Sequence, residues 1–370
     1  MKLHIAGPVY GLAGYTTVTR EITLALHRQG VEIFLQPIAW FTPPFNLPGH
    51  TRKILEGLML RKGECEYLLN IGIPPLFLYE EGYKKSIGLT MLEIDGVPEQ
   101  WVDLCNKMDE VWVPSTFNRD TFIKSGIQKE KVTVLPLGVD TTVFNPRDAK
   151  GKGNRKDFTF LTVCEWIPRK GYDILLEAYL KEFTGNDAVK LVIKSHVRRN
   201  YDSGEKIKQE IKHFMNNTGV KNPPKINLIS QILNTSEMAN LYKSADCFVL
   251  PTRGEGWNFP VLEAMASGVP VITTDWSAHL DFVSEKNAFL IKVKELEPVP
   301  RLGLPIDKFY MGFRWAKPDI SHLRKLMRRV YENKAEALKK ADNALESIKN
   351  LTWDVTAERI MNRLLNEGYS

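Results

Sequence analysis

Residues 246–275 read DCFVLPTRGEGWNFPVLEAMASGVPVITTD. The stretch begins with a short apolar run that is typical of a buried strand, and Pro260 suits the first turn of a helix. Gly268 and Pro270 then end that helix, and a second apolar run at 269–273 follows. A strand, a glycine-containing loop, a helix and a strand in this order predict one βαβ unit of a parallel sheet.

The same alternation of short apolar runs and helical patterns extends through the chain in both directions from this unit. It predicts two series of six strands, joined by a polar linker at 148–157 that reads DAKGKGNRKD. The first series covers residues 2–6, 32–36, 67–71, 87–92, 110–113 and 132–135. The second covers residues 158–164, 190–194, 225–229, 246–250, 269–273 and 288–291. Helical patterns fill most of the gaps, which favours doubly wound domains.

The last part of the chain reads as helical. A long charged helix is predicted at 319–347, followed by a terminal helix in 348–370 whose apolar residues recur at helical spacing. That helix needs a groove in which to bury its apolar face. We therefore predict an α/β fold with two Rossmann-like doubly wound domains, 1–147 and 158–347, that face a cleft, and a C-terminal helix that packs back toward the first domain.

The composition is that of a globular protein with no strong preference for nucleic acid. The chain has 370 residues, of which 43% are hydrophobic and 25% charged. Its 50 basic and 44 acidic residues give a net charge of +6, an excess too mild to predict nucleic-acid binding. Four widely spaced cysteines form no CxxC pair, which favours a reducing compartment over a disulfide framework or a cysteine metal site.

The apolar N-terminal residues resemble a signal peptide only in part, because glycines and Pro8 interrupt them. No apolar run elsewhere is long enough to span a bilayer. We predict a cytoplasmic protein without a transmembrane segment, whose membrane association would be peripheral and at the inner membrane surface.

The loop after the first predicted strand is rich in glycine. It reads GPVYGLAGY and leads into a helix, so backbone groups near Gly11 and Gly14 could approach a phosphate. The spacing is not GxGxxG, so a nicotinamide or flavin fingerprint is weakly supported. The alternative is a glycine-rich turn that serves only strand–helix packing.

Arg169 and Lys170 follow the first strand of the second series and precede a predicted helix. Two adjacent cations at the carboxyl end of a strand can clamp a diphosphate. Pairs of surface cations are common, and the position at a strand end is what distinguishes this pair.

Two glutamates flank the turn into the helix of the opening stretch. Glu255 falls in the loop and Glu263 about one turn into the helix, so they do not share a helical face. Backbone N–H groups of residues 257–259 would point toward an anion between them. Glu263 could accept both hydroxyl protons of a ribose, and Glu255 could accept from a second sugar. One capping glutamate and one incidental loop acid are the alternative.

A few residues of the first domain are candidates for binding a second substrate. Glu93 and Asp95 end a predicted strand and could line the site from the other side. Glu93 and Asp95 also resemble an acidic metal-binding pair. A single pair of this kind is weak support for a metal site, and we predict no metal. Tyr15 could stack on an acceptor sugar, although aromatic residues are more often part of the core.

Taken together, these segments resemble the retaining nucleotide-sugar glycosyltransferases of the GT-B fold, the group 1 or family four glycosyl transferases. Glu255 and Glu263 look like the family's E-x7-E motif, followed by AMASGVPVITTD. Lys170 with Gly171 and DILLEAY looks like its second-domain lysine loop, and residues 11–14 like its glycine loop. DEVWVPSTFNRDTFIKSG and VTVLPLGVDTTVFNP look like the end of its first domain.

The resemblance implies a reaction and a site. A hexosyl unit would pass from a nucleoside-diphosphate sugar, a UDP- or GDP-sugar, to a hydroxyl acceptor such as a glycan or a lipid-linked glycan, with retention and with no cofactor or metal. The first domain would be the acceptor side. Catalysis would rest on Glu255, Lys170 and Arg169. The implied donor-binding residues are Gly11, Gly14, Lys170, Glu255, Gly256, Trp257, Asn258, Phe259 and Glu263.

Two positions depart from the family pattern. Glu165 stands where many members have an arginine, five residues before the lysine, which leaves Arg169 as the alternative source of that charge. Glu93 and Asp95 lie where many members have a histidine at the end of a first-domain strand.

Three other functions stay open at the level of sequence. A glycoside hydrolase could use Glu255 and Glu263 as acid and nucleophile or base, but it would not need the Lys170 loop. A nucleotide-sugar epimerase could share the two-domain plan. A non-catalytic nucleotide-sugar or glycan-binding protein would bind the same ligands without turnover.

Overall fold

The computed structural model describes residues 1–39, 47–146, 156–197, 204–303 and 307–365. The chain divides into two compact units. Unit 1 is Met1–Gly138 with Asn350–Ser370, and unit 2 is Val139–Lys349. Most of the linker predicted at 148–157 lies outside the described residues.

Unit 1 contains a parallel sheet of six strands in the order β2-β1-β3-β4-β5-β6. Its strands are β1 (Lys2–Gly7), β2 (Glu32–Pro37), β3 (Tyr67–Ile71), β4 (Lys85–Leu89), β5 (Glu110–Val113) and β6 (Val132–Val134). Its helices are α1 (Gly14–Arg28), α2 (Gly49–Met59), α3 (Glu99–Asn106) and α4 (Thr116–Lys124). All residues of β3 and β5 are buried, as expected for parallel strands with both faces covered.

Unit 2 contains a second parallel sheet of six strands in the order β12-β11-β10-β7-β8-β9. Its strands are β7 (Phe158–Glu165), β8 (Val189–His196), β9 (Lys225–Ile229), β10 (Cys247–Leu250), β11 (Val271–Thr274) and β12 (Phe289–Ile291), followed by β13 (Val293–Pro298) and β14 (Arg314–Pro318). Its helices are α5 (Tyr172–Glu182), α6 (Gly204–Asn217), α7 (Thr235–Lys243), α8 (Phe259–Ala266), α9 (Asp307–Tyr310), α10 (Ile320–Glu332) and α11 (Lys334–Ile348). The strand order reverses between β7 and β10, and ligands of open α/β sheets bind at such a reversal, outside the carboxyl ends of the strands.

The last helix, α12 (Trp353–Leu365), packs against α1 in unit 1. Tyr67 Oη donates to the carbonyl of Leu364 at 3.0 Å, and the Arg28 guanidinium lies 2.5 Å from the Asp354 carboxylate. The apolar face of α12 therefore finds its groove on the first unit. No helix among the described residues has the length and apolar character needed to cross a bilayer.

The single long helix predicted at 319–347 is wrong, because the structure has two helices there, α10 and α11. Asn333 separates them with φ −114° and ψ 71°, outside the helical region. Its side chain accepts from the backbone N–H of Glu336 at 3.2 Å and thereby caps α11. The continuous charged pattern hid this cap.

The antiparallel hairpin β13–β14 was not predicted. β13 shows a mixed pattern of exposed and half-buried residues instead of strict alternation, and its register with β14 shifts between Val293 and Leu296. Trp315 and Ala316 on β14 are buried. Period-two alternation is the signal by which such strands are found, and this hairpin lacks it.

Candidate functional site

Lys170, Arg169 and Glu255 meet where the strand order of unit 2 reverses. Arg169 and Lys170 lie in a short 3-10 turn after β7, and Glu255 lies in the loop after β10. Lys170 Nζ lies 2.7 and 2.8 Å from the two carboxylate oxygens of Glu255. Arg169 Nη1 donates to the carbonyl of Gly254 at 2.5 Å and lies 3.6 Å from Glu255 Oε2. The three residues that the sequence singled out for catalysis thus form one cluster, in which Arg169 and Glu255 are buried and Lys170 is half-buried.

The charge of Glu255 depends on its two cations. Burial by itself raises the pKa of this carboxyl, but the Lys170 and Arg169 charges outweigh burial and hold the pKa below its usual range. Glu255 is 4% exposed, so it remains a desolvated carboxylate at neutral pH. A buried ion pair of this kind is weak support for stability, and removing one partner would leave an uncompensated charge.

The two loops that carry the cluster touch at backbone distance. Gly171 has φ +69°, and a Cβ built on it would lie 2.0 Å from the carbonyl oxygen of Pro251. The carbonyl of Arg169 accepts from the backbone N–H of Arg253 at 2.7 Å and from Thr252 Oγ1 at 3.2 Å. Only glycine combines that φ with such a close approach, so Gly171 allows Lys170 to reach Glu255.

The turn from Glu255 into α8 holds buried polar atoms without partners. Asn258 precedes α8 with φ 81° and is 3% exposed. In the described part of the chain, Asn258 Oδ1 and Nδ2 and Trp257 Nε1 are buried and make no hydrogen bond, and the same holds for His279 Nδ1 in the 3-10 turn Ala278–Asp281 after β11. Such atoms are rare in native proteins, and each of them calls for a functional explanation, such as a catalytic role or a bound water or ion.

Ser277 holds the backbone of Glu255 and was missed at the level of sequence. Its Oγ accepts from the Glu255 N–H at 2.9 Å and donates to the Glu255 carbonyl at 3.3 Å. Ser277 has φ +87°. In the part of the chain that the structure describes, Ser277 and Asn258 are the two non-glycine residues with positive φ. Strained backbone gathers at functional sites, and both strained residues here adjoin Glu255 in the chain or in space.

Glu263 occupies a separate position within α8. No ion pair or hydrogen bond of the described residues joins it to Glu255, and its Oε2 instead accepts from Tyr242 Oη at 2.7 Å. Burial raises the pKa of Glu263 to about 7, and the hydrogen bond from Tyr242 opposes that rise. Tyr242 lies on α7, and no short-range signal in the sequence linked it to Glu263.

The glycine loop lies in unit 1. Gly11 has φ +118°, and its carbonyl accepts from Arg20 Nη1 at 2.9 Å. Gly14 is the first residue of α1, whose first turn carries no acidic side chain and whose N-cap, Ala13, makes no side-chain cap.

The acceptor-side candidates also lie in unit 1. Tyr15 Oη accepts from the N–H of Met91 at 2.9 Å and donates to the carbonyl of Met91 at 3.0 Å, which joins the start of α1 to the loop after β4. Glu93 and Asp95 are half-buried in that loop. Burial, and to a lesser degree the Glu93 charge, raise the pKa of Tyr15. Tyr15 and Glu93 are thus brought together, and their part in acceptor binding stays a prediction.

Residues 156–298 match the family model described as Glycosyl transferases group 1. They form a glycosyl transferases group 1 domain. This group 1 domain contains the whole cluster, together with Glu263 and its partner Tyr242. The predicted family is confirmed for this part of the chain.

Curated relatives resemble part of the chain. The MMP alpha-(1->4)-mannosyltransferase of Mycolicibacterium hassiacum is 30% identical over 162 residues, which cover 44% of this chain and 36% of that protein. The UDP-Gal:alpha-D-GlcNAc-diphosphoundecaprenol alpha-1,3-galactosyltransferase of Escherichia coli is 26% identical over 181 residues, which cover 45% of this chain and 43% of that protein. The chain thus spans less than half the length of these relatives.

Solved structures share the fold over the full chain. The Anabaena protein HepE, in complex with UDP and glucose, superimposes with a TM-score of 0.70 and 14% identity over 99% of this chain and 100% of that one. At this identity the likeness shows the fold alone. It confirms the predicted fold class, an α/β protein with two Rossmann-like domains of the GT-B type.

Proposed function

We propose that the chain is a glycosyltransferase that moves a hexosyl unit from a UDP- or GDP-sugar to a hydroxyl acceptor with retention of anomeric configuration. The observation that carries the proposal is the partly buried contact of Lys170 Nζ with both oxygens of Glu255 at the strand-order reversal of a group 1 domain. A cation for a diphosphate and a carboxylate for sugar hydroxyls lie side by side there.

Lys170 and Arg169 bind the donor diphosphate in this proposal. Both follow the carboxyl end of β7, and the backbone N–H groups before α8 add partial positive charge. The diphosphate then competes with Glu255 for Lys170. As the sugar leaves, negative charge grows on the terminal phosphate, and preorganised cations stabilise that charge.

Glu255 binds the transferred sugar, since a buried carboxylate accepts hydrogen bonds from hydroxyl groups and repels phosphate. The bond between the anomeric carbon and the phosphate oxygen breaks, and the acceptor oxygen forms its bond on the same face. The departing phosphate takes the acceptor proton, so no protein base is required. Entry and departure on one face retain the configuration.

The acceptor is proposed to be a glycan or a lipid-linked glycan. The E. coli relative is named for a diphosphoundecaprenol-linked sugar, which motivates the lipid-linked class. An acceptor of that kind would bring the chain to the inner membrane surface as a peripheral protein. Assaying the identified donor against free oligosaccharides and lipid-linked sugars separates the two classes, and transfer to neither would remove this part of the proposal.

A panel of UDP-, GDP- and ADP-sugars tests the function through thermal stabilisation. A ligand at 100 times its Kd stabilises the native state by about 2.7 kcal/mol, which shifts the melting midpoint measurably. We expect a UDP- or GDP-sugar to raise the midpoint. No shift with any sugar nucleotide would contradict the proposal, and conversion of the sugar without acceptor would identify an epimerase instead.

Removal of divalent cations is expected to leave transfer unchanged. Lys170 and Arg169 supply the positive charge that a metal would otherwise provide to the leaving diphosphate. The rate is measured after EDTA treatment and again after addition of Mg²⁺ or Mn²⁺. Loss of activity in EDTA with recovery on adding metal would show that the cations of the cluster are insufficient.

Nucleotide affinity is expected to rise with pH through the titration of Glu263. The ribose hydroxyls donate to the carboxylate, so the protonated form must lose its proton to bind. With a pKa of about 7, the affinity at pH 6 should be about tenfold below that at pH 8. Titration of UDP or GDP into the protein at pH 6, 7 and 8 measures the effect.

Two variants serve as controls for this pH dependence. Glu263→Gln should abolish the contribution of this residue, while the titration of the nucleotide phosphates remains in both proteins. Tyr242→Phe removes the hydrogen bond that opposes the rise in pKa, so the transition should move to higher pH. The same pH profile in wild type and Glu263→Gln would show that Glu263 does not contact the nucleotide.

A further inference from the structure

Arg253 lies half-buried beside the cluster and joins three segments of unit 2. Its Nη1 donates to the carbonyl of Pro168 at 2.6 Å, in the turn that carries Lys170. Nη1 and Nη2 also form a two-pronged contact with the Asp173 carboxylate at 2.8 and 2.7 Å. Asp173 lies in the first turn of α5, so Arg253 ties the turn to the helix that follows it.

The hairpin β13–β14 holds the other side of Arg253. Glu297 Oε1 accepts from Arg253 Nε at 3.1 Å and from Trp315 Nε1 at 3.2 Å. The guanidinium carbon lies 5.7 Å from the centre of the Trp315 ring, and the N–H of Ala316 donates to the Arg253 carbonyl at 2.9 Å. One residue from each strand of the hairpin thus fixes the side chain, and a backbone contact fixes the main chain.

The backbone of Arg253 completes the connection to the cluster. Its N–H donates to the carbonyl of Arg169 at 2.7 Å, and Glu255 is two residues further along the same loop. Arg253 therefore contacts the Arg169–Lys170 turn through both its backbone and its side chain. A shift of this turn by about 1 Å is enough to cost a reacting geometry about 100-fold in rate.

The hydrogen bonds of Arg253 are directed at the protein itself. Four of its five N–H donors are engaged by Pro168, Asp173 and Glu297. The guanidinium is accordingly a positioning group. The match to the group 1 family ends at residue 298, so β14, with Trp315, lies outside it.

We propose that the hairpin β13–β14 is a positioning element of the donor site, which acts through Arg253 to hold the Arg169–Lys170 turn against Glu255. This inference rests on the proposed function. The hairpin contacts no substrate in the proposed function, but through Arg253 it would affect diphosphate binding and transfer. A hairpin that served only the stability of unit 2 would change unfolding without changing the affinity of the folded protein.

Two glutamates on β13 provide a matched test. Glu297 contacts Arg253 and Trp315, whereas Glu295 pairs with the exposed Lys317 at 2.9 Å. Glu297→Gln should weaken UDP or GDP binding about tenfold and lower kcat/KM for the donor by a similar factor, because Arg253 loses a charged hydrogen bond. Glu295→Gln should leave both within about twofold of wild type, because an exposed ion pair contributes little.

Arg253→Lys is the stronger variant. It keeps the positive charge but cannot form the two-pronged contact with Asp173, so we expect a fall of about 100-fold in kcat/KM. Its pH profile adds a readout that a change in stability alone would not move. If Lys170 shifts away, the pKa of Glu255 rises, and the acid limb of the profile moves toward neutral pH. If Arg253→Lys does not fold, Glu297→Gln carries the test.

Each outcome has a separate meaning. Wild-type protein that binds neither UDP nor GDP, with or without a sugar, would overturn the proposed function. Wild-type protein that binds nucleotide, together with equal affinity, kcat and KM in Glu297→Gln and Glu295→Gln, would overturn the positioning role alone. A loss confined to Glu297→Gln, in a protein that melts near the wild-type temperature, supports it.

Discussion

Lys170→Met is expected to lower kcat/KM for the sugar-nucleotide donor by about 1000-fold, as expected for loss of a preorganised charge that stabilises the leaving group. The same change leaves the buried Glu255 carboxylate without its nearest cation, which should destabilise the protein by about 3–5 kcal/mol. Initial rates at subsaturating donor, and denaturant unfolding of the same samples, measure the two effects.

Matched variants separate the effect on catalysis from the effect on stability. Lys181 lies on α5 and pairs with Glu177 on the exposed surface, so Lys181→Met should cost less than about 1 kcal/mol and no activity. The double variant Lys170→Met with Glu255→Gln should recover part of the stability, because the desolvated carboxylate is removed, and should stay inactive. Full turnover by Lys170→Met would show that the cluster does not bind the donor.

Gly171→Ala is the second large effect that we expect, about 100-fold in kcat/KM, because a small misplacement of catalytic groups has that cost. The new Cβ would lie 2.0 Å from the carbonyl oxygen of Pro251, so the Lys170 turn must move away from the loop of Glu255. Donor KM and kcat, with thermal melting, measure the change.

Gly219→Ala is the control for backbone strain. Gly219 has φ +67°, nearly the same as Gly171, but nothing lies within 4 Å of a Cβ built there. Its substitution should cost about 1 kcal/mol of strain without loss of activity. If both glycine variants lose activity equally, strain in unit 2 explains the loss, and close approach of the loops does not.

The strands of both sheets could be predicted because parallel strands are buried on both faces and read as apolar runs. β3, β5 and β10 are buried throughout and lie within about one residue of the predictions, within the usual uncertainty of strand ends. The proximity of Lys170 and Glu255 could also be expected from the sequence. Lys170 follows β7 and Glu255 follows β10, and these two neighbouring strands flank the strand-order reversal. Loops at the same edge of a sheet come together regardless of their distance in sequence.

Other features depend on contacts that no local pattern records. Tyr242 meets Glu263 across α7 and α8, and Ser277 reaches the backbone of Glu255 from the segment after β11. Asn333 ends α10 by capping the next helix, although the charged pattern continues through it. Arg253 sat within the stretch that predicted the fold, but its role depends on the unpredicted hairpin.

The most direct test of the account is the affinity of the product nucleoside diphosphate for wild type, Glu255→Gln and Glu263→Gln. Wild type should bind UDP or GDP, and Glu255→Gln should bind it at least as tightly, because Lys170 no longer pairs with a carboxylate, while transfer is lost. Glu263→Gln should bind about tenfold more weakly, since charged hydrogen bonds to the ribose are removed. No binding by wild type, or equal losses in the two variants, would contradict the account.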